Sequence, residues 1–357
     1  MVVNMNLFEL PLPYIITFLA MAFILGAVIG SFLNVVILRV PRKESIVVNR
    51  SHCMSCGKQL KNIDLIPIFS YIFLGGKCRF CKAKISPRYW IVELTTALMF
   101  TLATVAFGIS YQLIFAFILI AALVVASGID IDYMEIPYGC SLIVFLLGVA
   151  ATIISVFTGD MPWYEHLIGM AVVGVPFAVL ALFGAMGGGD VQLMAAAGLL
   201  LGWNVVPAAA IGIVLGAIGG GISLASAPKK MKQLAAEKSK EIAESWYAAQ
   251  KEAGAYVLEG KTDAVYGSIF KGKSDIEQEC IDEKCWSRKP DIGALNEMLD
   301  AELSEVSKYG ISIVIENEKI KSVTCKKQIV FGPYLSVGIA VGYMFGKAII
   351  DWYLGFI

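Results

Sequence analysis

Two aspartates stand where apolar runs of the sequence meet, and they are its strongest candidates for acid–base chemistry. Asp190 follows Gly187-Gly188-Gly189, and Asp130 lies 60 residues earlier in a similar setting. A carboxylate inside a bilayer costs roughly 2.5–3.5 kcal/mol on insertion scales, so acids at such positions usually serve a function. Because the three glycines carry no Cβ, another helix or a substrate backbone can approach the Asp190 carboxylate closely.

Two facing carboxylates that share one proton can hydrolyse a peptide bond. The ionised carboxylate takes a proton from water, and the protonated one donates a hydrogen bond to the scissile carbonyl. We therefore predict Asp130 and Asp190 as a catalytic pair that titrates as a unit. Asp132 is the alternative to Asp130, and either acid alone could instead mark a helix end near the lipid headgroups.

The cysteines form the second group of residues that could carry chemistry. Cys53-Met-Ser-Cys56 and Cys78-Arg-Phe-Cys81 are two CxxC pairs separated by 21 residues. Each pair can chelate a metal through a tight turn, and four thiolates complete a closed, structural site. We predict zinc as the metal, because nothing in the sequence indicates redox chemistry. Iron, or a redox-active set of thiols, is the alternative, and His52 is not needed as a ligand.

Membrane helices must position both groups. Hydrophobic residues make up 57% of the 357 residues, and the mean hydropathy of +0.72 exceeds that of soluble domains. We predict an all-α polytopic membrane protein with about eight transmembrane helices. The predicted helices are 14–38, 89–107, 111–128, 137–157, 165–183, 191–203, 208–226 and 333–354. The stretch 191–203 is short for a span.

Basic residues predict how these helices are oriented. None precedes the first apolar run, whereas Arg39, Arg42, Lys43 and Arg50 follow it. A secretory signal peptide has the opposite polarity, so we predict a retained helix with its N-terminus outside. Eight crossings then place the cysteine loop and both candidate acids on the cytoplasmic side.

One segment, residues 228–328, differs in composition from the rest. It carries 17 Lys/Arg and 18 Asp/Glu, which is 35 of the 58 charges. We predict an inserted small α+β cytoplasmic domain, with a helix over 229–252 and strands at 311–315 and 320–324. The other predicted domains are 1–42 (first helix), 43–88 (zinc-binding loop), 89–227 (catalytic core) and 329–357 (last helix). The overall charge balances at 29 against 29, so no basic field indicates nucleic acid.

Taken together, these residues resemble the type IV prepilin peptidases, which are bifunctional leader peptidase/N-methyltransferases of the GxGD aspartic protease class. The similar stretches are Gly30–Arg42, the paired-cysteine loop with Asp64–Pro67, Asp130 in a D-x6-P pattern, Gly187–Asp190 and Phe331–Leu335. Two positions depart from the family. Gln192 stands where lysine is usual, and Tyr138 where Asp or Asn is common.

The resemblance implies a bacterial inner-membrane enzyme. It would cut the leader from type IV prepilins or type II secretion pseudopilins by the aspartic dyad, and then methylate the new N-terminus with S-adenosylmethionine. Pilus assembly or secretion machinery would be further partners. No residue is assigned to the methyl donor. The alternatives are a peptidase-only enzyme of this class acting on other membrane substrates, and an ion-relaying transporter, which would not need the zinc loop.

Overall fold

The part of the chain that the structure describes folds mainly into helices. The computed structural model describes residues 7–47, 51–53, 55–184, 186–221, 311–316, 319–325 and 330–355. Its α-helices are α1 Leu12–Arg39, α2 Phe69–Phe73, α3 Arg88–Phe107, α4 Tyr111–Tyr133, α5 Tyr138–Thr158, α6 Trp163–Leu182, α7 Gly188–Leu201, α8 at 205–221 and α9 Gly332–Leu354. Within the described residues, seven helical stretches are long and apolar enough to cross a membrane, with α7 and α8 counted together as Gly188–Gly221. The predicted multi-pass helical fold is confirmed.

Glycine contacts give the direction of α7. At its start, a Cβ on Gly189 would lie 3.0 Å from the Cβ of Ile136, in the α4–α5 connection. Just beyond its end, a Cβ on Gly202 would lie 2.6 Å from the Sδ of Met161, in the α5–α6 connection. Helix α7 therefore runs from the α4–α5 end of the bundle to the opposite end.

The chain turns back between α7 and α8. Helix α8 packs along α9, with Gly216 against Phe331 at the start of α9 and Asn204 against Gly346 farther along it. Since the start of α9 lies at the C-terminal end of α4, α8 returns to the end where α7 begins. Gly202 has a φ of 57°, a left-handed conformation that glycine adopts without steric cost. The stretch thus contains two antiparallel helices.

Other helices surround α7. Eight of its 14 residues are buried, and apolar side chains from α4, α5, α6, α8 and α9 pack with it in one core cluster. A helix that is apolar on all sides is typically enclosed by protein. The sequence predicts this helix at nearly the correct position, and the structure shows that it lies in the protein core.

Helix α4 extends farther than the sequence predicts. The predicted end is Gly128, whereas the helix continues to Tyr133 and ends at Met134, which has a left-handed φ of 56°. Gly128 is a packing residue, since a Cβ there would lie 2.6 Å from the Cδ1 of Ile37 on α1. Consequently Asp130 lies in the last turns of the helix and not beyond its end.

Residue contacts divide the chain into two units. They are Met1–Ala217 with Val330–Ile357, and Ile218–Ile329. In the second unit the described strands are β1 Ile311–Glu316 and β2 Lys319–Cys325, which pair antiparallel with Ile311 opposite Cys325. The sequence predicts both strands. The predicted helix over 229–252 lies outside the described residues, and the small α+β domain stays a prediction.

Candidate active site and metal centre

Asp130, near the end of α4, is held in place by a hydrogen bond from the start of α9. The aspartate is 5% exposed, and its Oδ2 accepts a hydrogen bond of 2.8 Å from the backbone N–H of Gly332, the first residue of α9. A Cβ on Gly332 would lie 2.5 Å from that oxygen, so the approach requires glycine. A buried carboxylate needs such a donor, because an unsatisfied buried acceptor costs about 1–3 kcal/mol or more. Sequence spacing does not predict this contact across 202 residues.

Asp190 lies in the first turn of α7 and is partly buried. Its Oδ2 accepts a hydrogen bond of 3.3 Å from the N–H of Gly187, which satisfies one of the free donors at the helix start. Gly189, directly before Asp190, lies against Ile136 just past the end of α4, the helix that carries Asp130, so the two acids lie at the same end of the helix bundle. The structure therefore brings together the two acids that the sequence selects.

Only one glycine of the run before Asp190 is crowded by a neighbouring element. Gly189 touches Ile136 of the α4–α5 connection, whereas an added Cβ on Gly188 would have no neighbour within 4 Å. The contact at Gly189 brings the first turn of α7 to the end of α4. The open space at Gly188 leaves room two residues before Asp190, where a substrate backbone can approach.

Asp132, the predicted alternative to Asp130, has a different partner. It forms an ion pair with Arg88 at the start of α3. Arg88 also donates a hydrogen bond of 2.9 Å to the carbonyl of Gly128. This arrangement ties α3 to the end of α4. Asp132 is therefore engaged in a contact between helices, whereas Asp130 is not paired with a cation among the described residues.

The arrangement of Asp130 and Asp190 suits hydrolysis of a peptide bond. Two nearby carboxyl groups in a largely buried site favour sharing one proton, because their like charges repel. One can then take a proton from water while the other donates a hydrogen bond to a carbonyl oxygen. Each is held by a backbone N–H of a glycine, so neither depends on a neighbouring cation for its position.

The four predicted metal ligands, Cys53, Cys56, Cys78 and Cys81, meet at one point. Their Sγ atoms all lie within 4.8 Å of one another, and those of Cys53 and Cys81 are 3.9 Å apart. Thiolates at 2.3 Å around a tetrahedral zinc ion are about 3.8 Å apart. The cluster can therefore hold a metal ion, and its dimensions fit zinc.

Two matching turns present these thiols. The N–H of Gly57 donates to the carbonyl of Cys53 at 2.8 Å, and the N–H of Lys82 donates to that of Cys78 at 3.1 Å. Gly57 and Lys82 both adopt left-handed conformations, with φ of 69° and 60°. Glycine adopts this conformation without steric cost, whereas lysine has no preference for it, so the second turn cannot be identified from its residue type.

The thiols of the cluster ionise unequally. Backbone N–H groups of Cys56 and Ser55 lower the pKa of the Cys53 thiol to about 6. The N–H of Ala83 favours ionisation of Cys81, yet incomplete solvation and hydrogen bonds with the neighbouring thiols raise the pKa of Cys81 to about 11. A divalent cation among the sulfurs would stabilise four thiolates together, as a structural metal site requires.

Two family models match the chain over the regions that contain these groups. The model of the bacterial peptidase A24 N-terminal domain matches residues 24–107, which include the four cysteines. The model of the type IV leader peptidase family matches residues 117–222, which include Asp130 and Asp190. No solved structure matches the chain.

Several curated relatives are similar over half of the chain or more. A prepilin leader peptidase/N-methyltransferase of Bacillus subtilis (strain 168) is 37% identical over 205 residues, covering 57% of this chain and 82% of the relative. The protein of the same name from Myxococcus xanthus (strain DK1622) is 37% identical over 196 residues, or 53% and 58% of the two chains. A type 4 prepilin-like proteins leader peptide-processing enzyme of Escherichia coli O78:H11 is 36% identical over 217 residues, or 52% and 78%.

Proposed function

This chain belongs to the type IV leader peptidase family, and on that premise we propose that it cleaves the leader of type IV prepilins or type II secretion pseudopilins and methylates the new N-terminus. Relatives named for both activities support the pairing. The observation that carries the peptidase activity is the meeting of Asp130 and Asp190, held from the starts of α9 and α7.

In the proposed mechanism Asp130 and Asp190 form the catalytic dyad. The ionised carboxylate takes a proton from water, and the resulting hydroxide attacks the carbonyl carbon of the scissile peptide bond. The protonated carboxyl group donates a hydrogen bond to the carbonyl oxygen and then gives its proton to the leaving amine. Gly332 and Gly187 keep the two acids in place through these steps.

Eight membrane crossings would place the dyad at the cytoplasmic face of a bacterial inner membrane. The turn at Gly202 supports two separate crossings within Gly188–Gly221. With the N-terminus outside, α1 ends inside at Arg39, in agreement with the positive-inside rule. The proposed domains on this map are the zinc-binding loop 43–88, the catalytic core 89–227, the inserted cytoplasmic domain 228–328 and the last helix within 329–357.

The four cysteines would hold a structural zinc ion. A site with four thiolates is closed to water, so the metal would stabilise the loop and take no part in peptide hydrolysis. When bound, S-adenosylmethionine would supply the methyl group for the second activity. Among the described residues none is assigned to bind it, and methylation rests on the relatives alone.

A comparison of three single variants tests the dyad. Purified wild type, Asp130→Asn, Asp190→Asn and Asp132→Asn would be mixed with a prepilin in detergent, and cleavage followed with time. We expect the variants at positions 130 and 190 to lose cleavage by roughly 1,000-fold or more, and the variant at position 132 to retain it. Cleavage by Asp190→Asn at the wild-type rate would refute the aspartic mechanism. Mass spectrometry of the product N-terminus detects the added methyl group and separates a bifunctional enzyme from a peptidase alone.

A further inference from the structure

The loop between the two cysteine pairs carries an exposed apolar surface. We name it the apolar wedge; it consists of Ile63, Leu65, Ile66, Phe69, Ile72 and Phe73, all exposed. The rings of Phe69 and Phe73 stack with centroids 6.4 Å apart, so α2 presents them as one surface. Phe73 is 84% exposed. Six large apolar side chains exposed within eleven residues indicate a contact with something apolar.

Ile68 shows where the apolar wedge lies along the helix bundle. Its side chain is 7% exposed and packs against Ala27 of α1 and Ala97 of α3. Ala97 is nine residues beyond Arg88, which is roughly 14 Å along a helix with a rise of 1.5 Å per residue. Because α3 is one of the helices long and apolar enough to cross a membrane, Ile68 lies alongside the membrane-spanning helices and not beyond their ends. The residues of the apolar wedge flank it on both sides.

A strained turn fixes Ile68 at this depth. Oε2 of Glu93, a buried residue of α3, accepts a hydrogen bond of 2.7 Å from the N–H of Ile68. The N–H of Phe69 donates to the carbonyl of Pro67 at 2.6 Å and closes a three-residue turn. Ile68 has a φ of 65°, which a β-branched residue rarely adopts. Such strain costs about 1–3 kcal/mol and persists only where the surroundings hold it, so the loop is held to the helices at a defined position.

The module around the apolar wedge is basic. Between residues 51 and 87 there are six Lys or Arg and one acid, Asp64. Asp64 is paired with Arg79 at 2.7 Å, and this pairing lowers the pKa of the Asp64 carboxyl. The other five basic residues, all exposed lysines, are Lys58, Lys61, Lys77, Lys82 and Lys84. An apolar surface surrounded by basic side chains is typical of segments that bind anionic lipid at the membrane interface.

We propose that the apolar wedge inserts into the bilayer at the boundary between acyl chains and headgroups, while the lysines bind anionic lipid headgroups. The four-cysteine module would then be a membrane-anchored element. Its leaflet is the one beside the dyad, because Arg88, directly after the module, contacts Gly128 and Asp132 at the Asp130 end of α4. The proposal concerns lipid and holds whether or not the proposed catalytic activity is correct.

Photocrosslinking in the full-length protein tests this placement. A benzophenone amino acid would replace Phe73 in one protein and Val47 in the other, each reconstituted in nanodiscs of phosphatidylethanolamine and phosphatidylglycerol. Val47 is a matched control, because it is also apolar, is 91% exposed and lies outside the apolar wedge. We expect lipid adducts at position 73 at roughly ten times their yield at position 47, unchanged when a prepilin is added. An equal yield of lipid adducts at the two positions would overturn the proposal. Replacement of the lipid adduct at position 73 by a prepilin adduct would also overturn it, because the surface would then be a substrate-docking site.

A second variant provides a readout that does not depend on crosslinking. Phe69→Ser with Phe73→Ser removes apolar area from exposed positions only, so the protein core is preserved. Melting temperatures of wild type and variant would be compared in nanodiscs with and without phosphatidylglycerol. We expect phosphatidylglycerol to raise the melting temperature of the wild type and the variant to lose most of that increase. An equal increase in both proteins would contradict the proposal.

Discussion

Two glycine N–H groups hold the two candidate catalytic acids. Gly332 donates to Asp130 at 2.8 Å and Gly187 donates to Asp190 at 3.3 Å. A donor to a carboxylate favours its ionised form. A bulkier residue at position 332 would have its Cβ 2.5 Å from the Asp130 carboxylate. The geometry of the dyad therefore depends on main-chain groups that side-chain patterns in the sequence do not reveal.

Gly332→Ala tests the contact with Asp130. The added Cβ displaces the carboxylate or its donor, and a hydrogen bond to a charged group contributes about 1.5–3 kcal/mol. We expect kcat/KM for prepilin cleavage to fall roughly 10- to 100-fold. Initial rates of cleavage measured over a range of prepilin concentrations would show the effect.

Gly139→Ala is the matched control for this variant. Gly139 lies in the first turn of α5, and an added Cβ there has no neighbour within 4 Å. We expect its kcat/KM to equal that of the wild type. If Gly332→Ala also kept the wild-type kcat/KM, the contact with Asp130 would have no part in catalysis.

The acids themselves could be selected from the sequence, because charged residues at the ends of apolar runs are conspicuous. The groups that pair with acids near the end of α4 could not be predicted from the sequence. Arg88 and Asp132 are 44 residues apart, and their pairing depends on how α3 docks against α4. The preference for Asp130 over Asp132 stays a prediction that this pairing supports.

Among the elements, the two turns of the cysteine module have the same backbone shape but different residues. Gly57 occupies the left-handed position in the first turn and Lys82 occupies it in the second. A residue with a side chain loses about 1–2 kcal/mol in this conformation. The second turn is therefore strained where the first is not.

Substitutions at these two positions should affect zinc retention differently. Gly57→Ala introduces the left-handed strain without a clash, since nothing lies within 4 Å of its Cβ, and we expect faster zinc loss to a chelator. Lys82→Gly removes the strain, and we expect zinc loss at the wild-type rate or more slowly. A coloured zinc indicator follows both reactions. Equal rates for Gly57→Ala and wild type would show that the turn does not limit metal binding.

Zinc retention should also fall as the pH falls. Protons compete with the metal for the four thiolates, so affinity decreases with acidification. Backbone donors from Cys56 and Ser55 lower the pKa of Cys53 to about 6, so this thiolate resists protonation until the pH approaches that value. Because a bound cation stabilises the thiolates further, we expect zinc release to set in only below about pH 6 in a titration of bound zinc. Retention that stayed constant down to about pH 3 would argue against a thiolate site.

The helices show which features of an element the sequence encodes locally. Apolar runs and turn residues predict the existence and approximate position of every described helix longer than α2. The end of α4 is missed because Gly128 has the appearance of a helix stop, while its actual role is contact with Ile37. A glycine chosen for packing and a glycine chosen for termination look alike until the neighbouring helix is known.

For the whole molecule, the segment between α8 and α9 leaves and returns at neighbouring points. Gly216 of α8 touches Phe331 at the start of α9, and both candidate acids belong to the unit formed by Met1–Ala217 with Val330–Ile357. A short connection can therefore join the two helices without displacing Asp130. The length of the intervening segment is not needed to close the helix bundle.

Replacing residues 228–328 by a flexible linker should preserve cleavage. Loop closure depends only weakly on length, by about 0.6 kcal/mol per doubling, so we expect prepilin cleavage within roughly threefold of the wild-type rate. The replaced protein would be compared with wild type in the same detergent, after gel filtration shows that both are monodisperse. Loss of cleavage by a monodisperse protein would make the segment part of the catalytic machinery.

The arrangement of the helices in space could be predicted only in part. Hydropathy identifies helices that cross a membrane, but lipid and protein are both apolar surroundings, so the sequence does not distinguish a central helix such as α7 from a peripheral one. That distinction depends on which helices dock, and close contacts such as Gly189 against Ile136 become visible only in the folded chain.

The hydrogen bond between Asp130 and Gly332 also bears on biosynthesis. Ribosomes add roughly 5–20 residues per second, so the donor is made roughly 10–40 s after the acid, which lies 202 residues earlier. A nascent chain interrupted before α9 carries both acids but lacks the amide that holds the first one. Proteolytic competence would then wait for the synthesis of α9, and chains interrupted before it would be inert toward their substrates.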